Sequence, residues 1–223
     1  MSFDGAFLSI IKNEIEQTAL NSKVEKIYQP SKEEIVIGLR FKGGSTKLLL
    51  SANASTPRVH FTKFAPENPK TPPMFCMLLR KHLGSGKLVA VRQIGIDRIL
   101  HLDFEAVNEL GDTVIITIIC EIMGRHSNII VVDSNGRILD AVKRIDEEMS
   151  SVRQVLPGMA YTMPPAGASR LSLLADSAES IVERVLSLNR DIELSKLLAE
   201  SLDGVSAILC REIAHYAARG AEI

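Results

Sequence analysis

The sequence predicts an α+β protein: an antiparallel β-sandwich with flanking helices, followed by an all-α helix-hairpin-helix region. Three observations predict it. Before about residue 160, apolar and polar residues alternate along eight or nine short stretches, the period of half-buried strands. Turn residues separate these stretches, and only two helical patterns interrupt them. From Leu171 onward the pattern is helical alone. Strands first and helices after make an α+β chain, with expected domains at residues 1–165 and 166–223.

The elements follow in order. Asp4 is placed to cap a helix in which Phe7, Leu8, Ile11 and Ile15 recur at helical spacing, with an end near residues 19–22. Alternating strands are predicted over 24–28, 35–41, 46–51 and 58–62, with turns at Pro30-Ser31 and Gly43-Gly44. Residues 63–73 hold four prolines and form a loop. Thr71 is expected to cap a second helix, PPMFCMLLRKHL, which Gly84 ends. Further strands are predicted over 87–94, 97–104, 113–121, 127–133 and 137–142, the last two joined through Asn135-Gly136. Residues 155–167, with three prolines and two glycines, read as a linker. Beyond it, Ile181, Val182, Val185 and Leu186 form one helical stripe, and Leu194, Leu197, Leu198 and Leu202 another. The segment LDGVSAILCREIAHYAA then reads as helix end, turn and new helix, a pattern that brings backbone N–H groups toward a phosphate. The last residues, AARGAEI, follow that pattern directly, so the chain reads as a fragment of a longer protein.

Composition removes several classes of function. A net charge of −1 over 223 residues gives no global attraction to nucleic acid or membrane, so any basic footprint is local. The three cysteines, Cys76, Cys120 and Cys210, form no CxxC pair and suggest buried thiols rather than a zinc site or disulfide framework. The opening MSFDGAFLSIIKNEIEQ lacks the basic start of a secretory signal. No apolar run reaches the roughly 18 residues that span a bilayer. The expectation is a cytoplasmic protein without a membrane, metal or cofactor requirement.

Chemistry-bearing residues gather in three places. Residues 70–98 carry six Lys/Arg and one acid, so Arg80, Lys81, Lys87 and Arg92 are candidate contacts to an RNA backbone. Gly84-Ser85-Gly86-Lys87 is not a phosphate loop, because the glycine needed five residues before Gly86 is missing and Leu88 replaces the magnesium-binding hydroxyl. Asp97-Arg98 stands at a strand start, where an acid beside an Arg fork can read base edges. The segment Glu121-Ile122-Met123-Gly124-Arg125-His126-Ser127-Asn128 joins two very apolar strands. Turn chemistry explains Gly124 but does not require Glu, Arg, His and Ser together, and a polar loop on rigid strands suits binding. His60, His82, His101 and His215 are isolated and read as structural.

FDGAFL, KIYQPS, PPMFCMLLRKHL, IGIDRIL, EIMGRHSNIIVVD, RQVLPGMAY and GVSAILCREIA occur in this order, and the chain resembles the NFACT family over nearly its whole length. That family comprises the RqcH-type ribosome quality-control factors, some called fibronectin-binding protein A. The resemblance implies an NFACT-N domain, similar in fold to the N-terminal domain of formamidopyrimidine-DNA glycosylases, followed by a helix-hairpin-helix domain. It also implies binding to stalled large ribosomal subunits carrying peptidyl-tRNA, with recruitment of alanyl-tRNA for untemplated C-terminal tailing. Asp97, Arg98 and residues 121–128 are the positions that it places against the tRNA anticodon arm. Glycosylase activity is not expected: Ser2-Phe3-Asp4 stands where those enzymes carry an N-terminal proline and glutamate, and the cysteines cannot supply their zinc finger. No catalytic residue is therefore expected. The older name keeps fibronectin as an alternative partner.

Overall fold

A computed structural model of the chain describes residues 3–64, 67–165 and 170–219. Ser2, part of the loop over 63–73, the end of the linker and the expected start of the second domain lie outside the described residues. Five α-helices and nine strands are described, in the order α1 (Gly5–Ala19), β1 (Lys23–Ser31), β2 (Glu34–Phe41), β3 (Gly44–Ser51), β4 (Arg58–Thr62), α2 (Met74–Leu83), β5 (Lys87–Gln93), β6 (Ile99–Val107), β7 (Thr113–Glu121), β8 (Asn128–Val132), β9 (Ile138–Ala141), α3 (Ala178–Ser187), α4 (Leu194–Ser201) and α5 (Ala207–Ala217). The fold is α+β, as the sequence predicts.

The strands form one antiparallel sheet in the order β4-β3-β2-β1-β5-β6-β7-β8-β9, not two separate sheets. The sheet curls, because β3 contacts β8 although five strands lie between them in that order. Lys143, which follows β9, joins the two halves: its Nζ donates to the Ala52 carbonyl at 2.7 Å and pairs with Glu33 at 2.9 Å. Leu48 and Leu50 of β3 and Ile129 and Val131 of β8 are fully buried.

β8 is buried at every position, so the strict alternation of a half-buried strand is missing. The sheet's second face is covered too. Ile99, Ile119, Ile130 and Val132 form a second core with Val155, and Ile145 and Tyr161 pack against it. The stretch that the sequence presents as a linker is thus partly structural: its Val155 exchanges two backbone hydrogen bonds with Ile145.

Three local expectations differ from the structure. β1 runs through Pro30-Ser31, and the turn falls at residues 32 and 33. Pro73, not Thr71, precedes α2 and makes no side-chain cap; a proline there needs no N–H partner. β6 begins at Ile99, so Asp97 and Arg98 precede the strand.

The described residues divide into two compact units. One comprises 10–92 and 99–165. The other comprises 3–9, 93–98 and 170–219, so the helical unit takes in two segments from the first half of the chain. Its core is Leu198, Leu202, Cys210 and Ala214, against which Ile181 and Val185 pack. Asp4 ties it together. One carboxylate oxygen accepts from the Phe7 amide at 2.8 Å, the expected cap of α1, and the other accepts from the Ser206 amide at 3.0 Å. The start of α5, read from sequence as a phosphate cradle, thus already holds a carboxylate. Asp4→Ala removes the α1 cap and the bond from the Ser206 amide and should cost about 1–4 kcal/mol. Hydrogen exchange should accelerate at the Phe7 and Ser206 amides together, and unchanged protection at Ser206 would contradict the double role.

Candidate nucleic-acid interface

β7 and β8 are paired up to Glu121 and Asn128, which face each other across the ladder. The six intervening residues, 122–127, form a connection built around a single 3-10 turn at Gly124–His126. Gly124 has φ +56, a left-handed conformation that glycine adopts without cost. Backbone bonds from His126 to the Met123 carbonyl (3.1 Å) and from Ser127 to the Gly124 carbonyl (3.0 Å) close the turn. The Ser127 hydroxyl accepts from the Met123 amide at 2.8 Å.

The buried and exposed residues of this segment divide the labour. Ile122, Ser127 and Asn128 are buried. Asn128 donates to the Lys143 carbonyl (2.7 Å) and accepts from the Lys143 amide (2.9 Å), fixing the loop to the chain after β9. Glu121 is 2% exposed and forms a two-pronged ion pair with Arg153, at 2.6 and 3.0 Å, while the Tyr161 hydroxyl donates to it at 3.0 Å. These four side chains are inside the protein. Between them Met123 and Gly124 are half-buried, and the tip of the loop is Arg125 and His126. Arg125 and His126 are exposed, with Arg125 Nε 3.0 Å from His126 Nε2, and Arg125 has no carboxylate partner among the described residues.

The second expected site has a different construction. The turn before β6 is fastened by Gln93, whose amide donates to the Asp97 carbonyl at 2.7 Å and the Gly5 carbonyl at 2.8 Å. The Asp97 carboxylate accepts from the Arg98 amide at 2.6 Å, and the exposed Arg98 side chain has no acidic partner among the described residues. Asp97 is half-buried. The next residue, Ile99, pairs with Glu121.

The basic stretch is less available than its composition implies. Lys81 pairs with Glu109 at 2.9 Å, Lys87 with Glu105 at 3.4 Å, and Arg92 forks onto Asp103 at 2.5 and 2.9 Å. Burial pushes the Asp103 carboxyl up, but the hydrogen bonds from Arg92 and Thr117 outweigh it and hold it below the usual range. Of the four candidate backbone contacts, Arg80 alone lacks a carboxylate partner among the described residues. Acids supplied by β6 and the turn after it, distant in sequence, neutralise the rest.

All three cysteines are buried and free. Burial raises each thiol's pKa, most strongly at Cys120, so each stays protonated and poorly nucleophilic. No group of three or more metal-ligating side chains occurs among the described residues. No helix among them is long and apolar enough to cross a membrane. Sequence reasoning missed Arg153 and Tyr161, the partners of Glu121; the run RQVLPGMAY contains both, but nothing local to it names their partner.

Residues 4–222 match the family model of NFACT N-terminal and middle domains. The chain is 42% identical over 218 residues to the Rqc2 homolog RqcH of Bacillus subtilis, covering 97% of this chain and 38% of that protein. It is 28% identical over 146 residues to the human ribosome quality control complex subunit NEMF, covering 66% of this chain and 13% of NEMF. Among solved structures, the N-terminal domain of the fibronectin-binding protein PavA from Streptococcus pneumoniae superposes with a TM-score of 0.88 at 34% identity, covering 98% of this chain and 80% of that one. The chain therefore spans well under half the length of these curated relatives.

Proposed function

The chain belongs to the NFACT family, and on that footing we propose that it is the RNA-binding module of a ribosome quality-control factor. In this reading it engages stalled large subunits carrying peptidyl-tRNA and recruits tRNA, with alanyl-tRNA as the substrate for untemplated tailing of the nascent chain. The names of the relatives from Bacillus subtilis and human support the ribosomal setting. The observation that carries the RNA contact is the β7–β8 loop, where buried Glu121, Ser127 and Asn128 present an uncompensated Arg125 with His126 and Met123 to solvent. Unpaired loop bases are read through edge hydrogen bonds and stacking on guanidinium or apolar surfaces, and this set supplies both. Arg98, exposed and without an acid partner among the described residues, is assigned a second contact of the same kind.

The α4–α5 pair, joined through Gly204, is read as the helix-hairpin-helix element. With Asp4 on its turn, we assign it a structural role rather than phosphate binding. The module acts by binding, without a catalytic residue of its own. Its site of action is the cytoplasm.

The test is a titration of this chain with labelled alanine tRNA. Arg98→Ala with Arg125→Ala should weaken binding at least about tenfold and flatten its salt dependence. Unchanged affinity, or affinity indifferent to salt, would refute the assignment. Fibronectin is the second reading, favoured by the name of the PavA neighbour. Binding of this chain to immobilised fibronectin, unaffected by the same pair of substitutions, would support a separate adhesive surface.

A further inference from the structure

We propose that the outward face of β1–β3 carries a second RNA-binding groove, which takes an extended single strand with its phosphates on Lys26, Lys47 and Arg80 and a base stacked on Tyr28. The proposal rests on the reading that the chain binds RNA, but it uses none of the residues assigned to the tRNA contact.

Two hollows, of about 350 and 300 Å³, share Glu25, Lys26 and Tyr28 as lining residues. Strand register sets the spacing. Lys26 stands opposite Gly38, and Gly38 opposite Lys47, so the two lysines lie two strand spacings apart, about 10 Å between backbones. Gly38 between them contributes no side chain, and a Cβ there would lie 3.4 Å from the Lys26 carbonyl oxygen, against the backbone of β1. Glycine inside a strand marks a bulge or a close approach by a ligand, and β1 does bulge between Val24 and Lys26.

Arg80 enters from α2. Its Nε donates to the Ile27 carbonyl at 2.9 Å, and its guanidinium carbon lies 5.9 Å from the Tyr28 ring centroid. The bond to Ile27 fixes the stem, while the rest of the fork has no acid partner among the described residues. Lys26 and Lys47 also have no ion-pair partner among the described residues. Glu25 is the one acid lining either hollow, and Arg40 engages it at 2.6 Å.

Three uncompensated cations beside a half-exposed tyrosine ring fit a specific ligand. A groove that tracks phosphates and an aromatic ring on which bases stack is the general construction for single-stranded nucleic acid. Lys81 and Lys87 of the basic stretch face carboxylates instead. An acidic peptide would satisfy the cations but leave the ring unused.

The experiment measures binding of a short labelled oligouridylate to the full 223-residue chain. Lys26→Glu with Lys47→Glu should weaken binding at least about tenfold and lower the slope of log affinity against log salt by about 1.4, at roughly 0.7 per phosphate neutralised. Both side chains reach solvent, so the melting temperature should not change. Tyr28→Leu should weaken binding, whereas Tyr28→Phe, which keeps the ring, should bind within about twofold of the parent. In a chain that already carries Arg98→Ala and Arg125→Ala, Lys26→Glu with Lys47→Glu should still weaken oligouridylate binding at least about tenfold, which separates this groove from the tRNA contact. The proposal is overturned by unchanged affinity in the double lysine variant, by loss of affinity only alongside loss of fold, or by polyglutamate competing as well as RNA.

Discussion

Glu121→Ala should destabilise the sheet unit by about 3–5 kcal/mol, because it leaves the Arg153 guanidinium buried without its counter-charge. Glu121 is 2% exposed and the Arg153 side chain 12%. Arg153 also donates to the Thr162 carbonyl at 2.7 Å and lies over the Tyr161 ring at 5.1 Å, so it is fixed in place and cannot swing to water without breaking those contacts. For a unit of this size the loss corresponds to a fall in melting temperature of roughly 6–20 °C. Glu121→Gln keeps the shape and one acceptor and should cost less, about 1–3 kcal/mol. In urea denaturation the Glu121→Ala and Arg153→Ala variants should be strongly non-additive, since either one already breaks the pair. Additive losses would show that the two charges are not coupled.

The same variants settle what Glu121 does for RNA. If the carboxylate acts by holding the end of β7, Arg153→Ala should weaken tRNA binding as much as Glu121→Ala does. If Glu121 touched RNA directly, Arg153→Ala would spare binding or improve it by freeing the carboxylate. The burial of Glu121 favours the first outcome, and tRNA titration of the two variants side by side decides it.

What was legible in the sequence follows from how local each signal is. The bounds of β7 and β4, the Asn135-Gly136 hairpin and the Asp4 cap are set by residues within a few positions of one another, and they could be read directly. The polar run 121–128 was legible as a functional segment because its chemistry exceeds the needs of a turn. Its division into a buried scaffold and an exposed tip was not legible, because burial of Glu121 and Asn128 depends on Arg153, Tyr161 and Lys143, which arrive from 15 to 40 residues away. The basic stretch misled for the converse reason. Asp103, Glu105 and Glu109 neutralise it from the neighbouring strand and the turn beyond, and composition within a window cannot register charge supplied across a ladder. The β1–β3 groove was invisible because Lys26, Lys47 and Arg80 share a face only once the sheet has formed.

Gly204→Ala should strongly disrupt the helical unit, and the reason separates two roles of glycine. Gly204 has φ +66, a conformation that costs an L-residue about 1–2 kcal/mol. A Cβ at that position would also collide with the backbone carbonyl of Ile96. That carbonyl is held between Gly204 and Gly5, whose amide donates to the Gly204 carbonyl at 2.9 Å. Backbone on both sides leaves no flexible side chain to give way. Gly95 supplies the internal comparison. It is in the same unit and has φ +56, but a Cβ there meets nothing within 4 Å. Gly95→Ala should therefore show conformational strain alone, about 1–2 kcal/mol, and Gly204→Ala that strain plus the collision, more than about 4 kcal/mol. Hydrogen exchange across α4 and α5 reads the difference: protection should survive Gly95→Ala and collapse in Gly204→Ala. Equal losses in the two variants would mean that the left-handed turn, and not the contact of three backbones, is what the glycine serves.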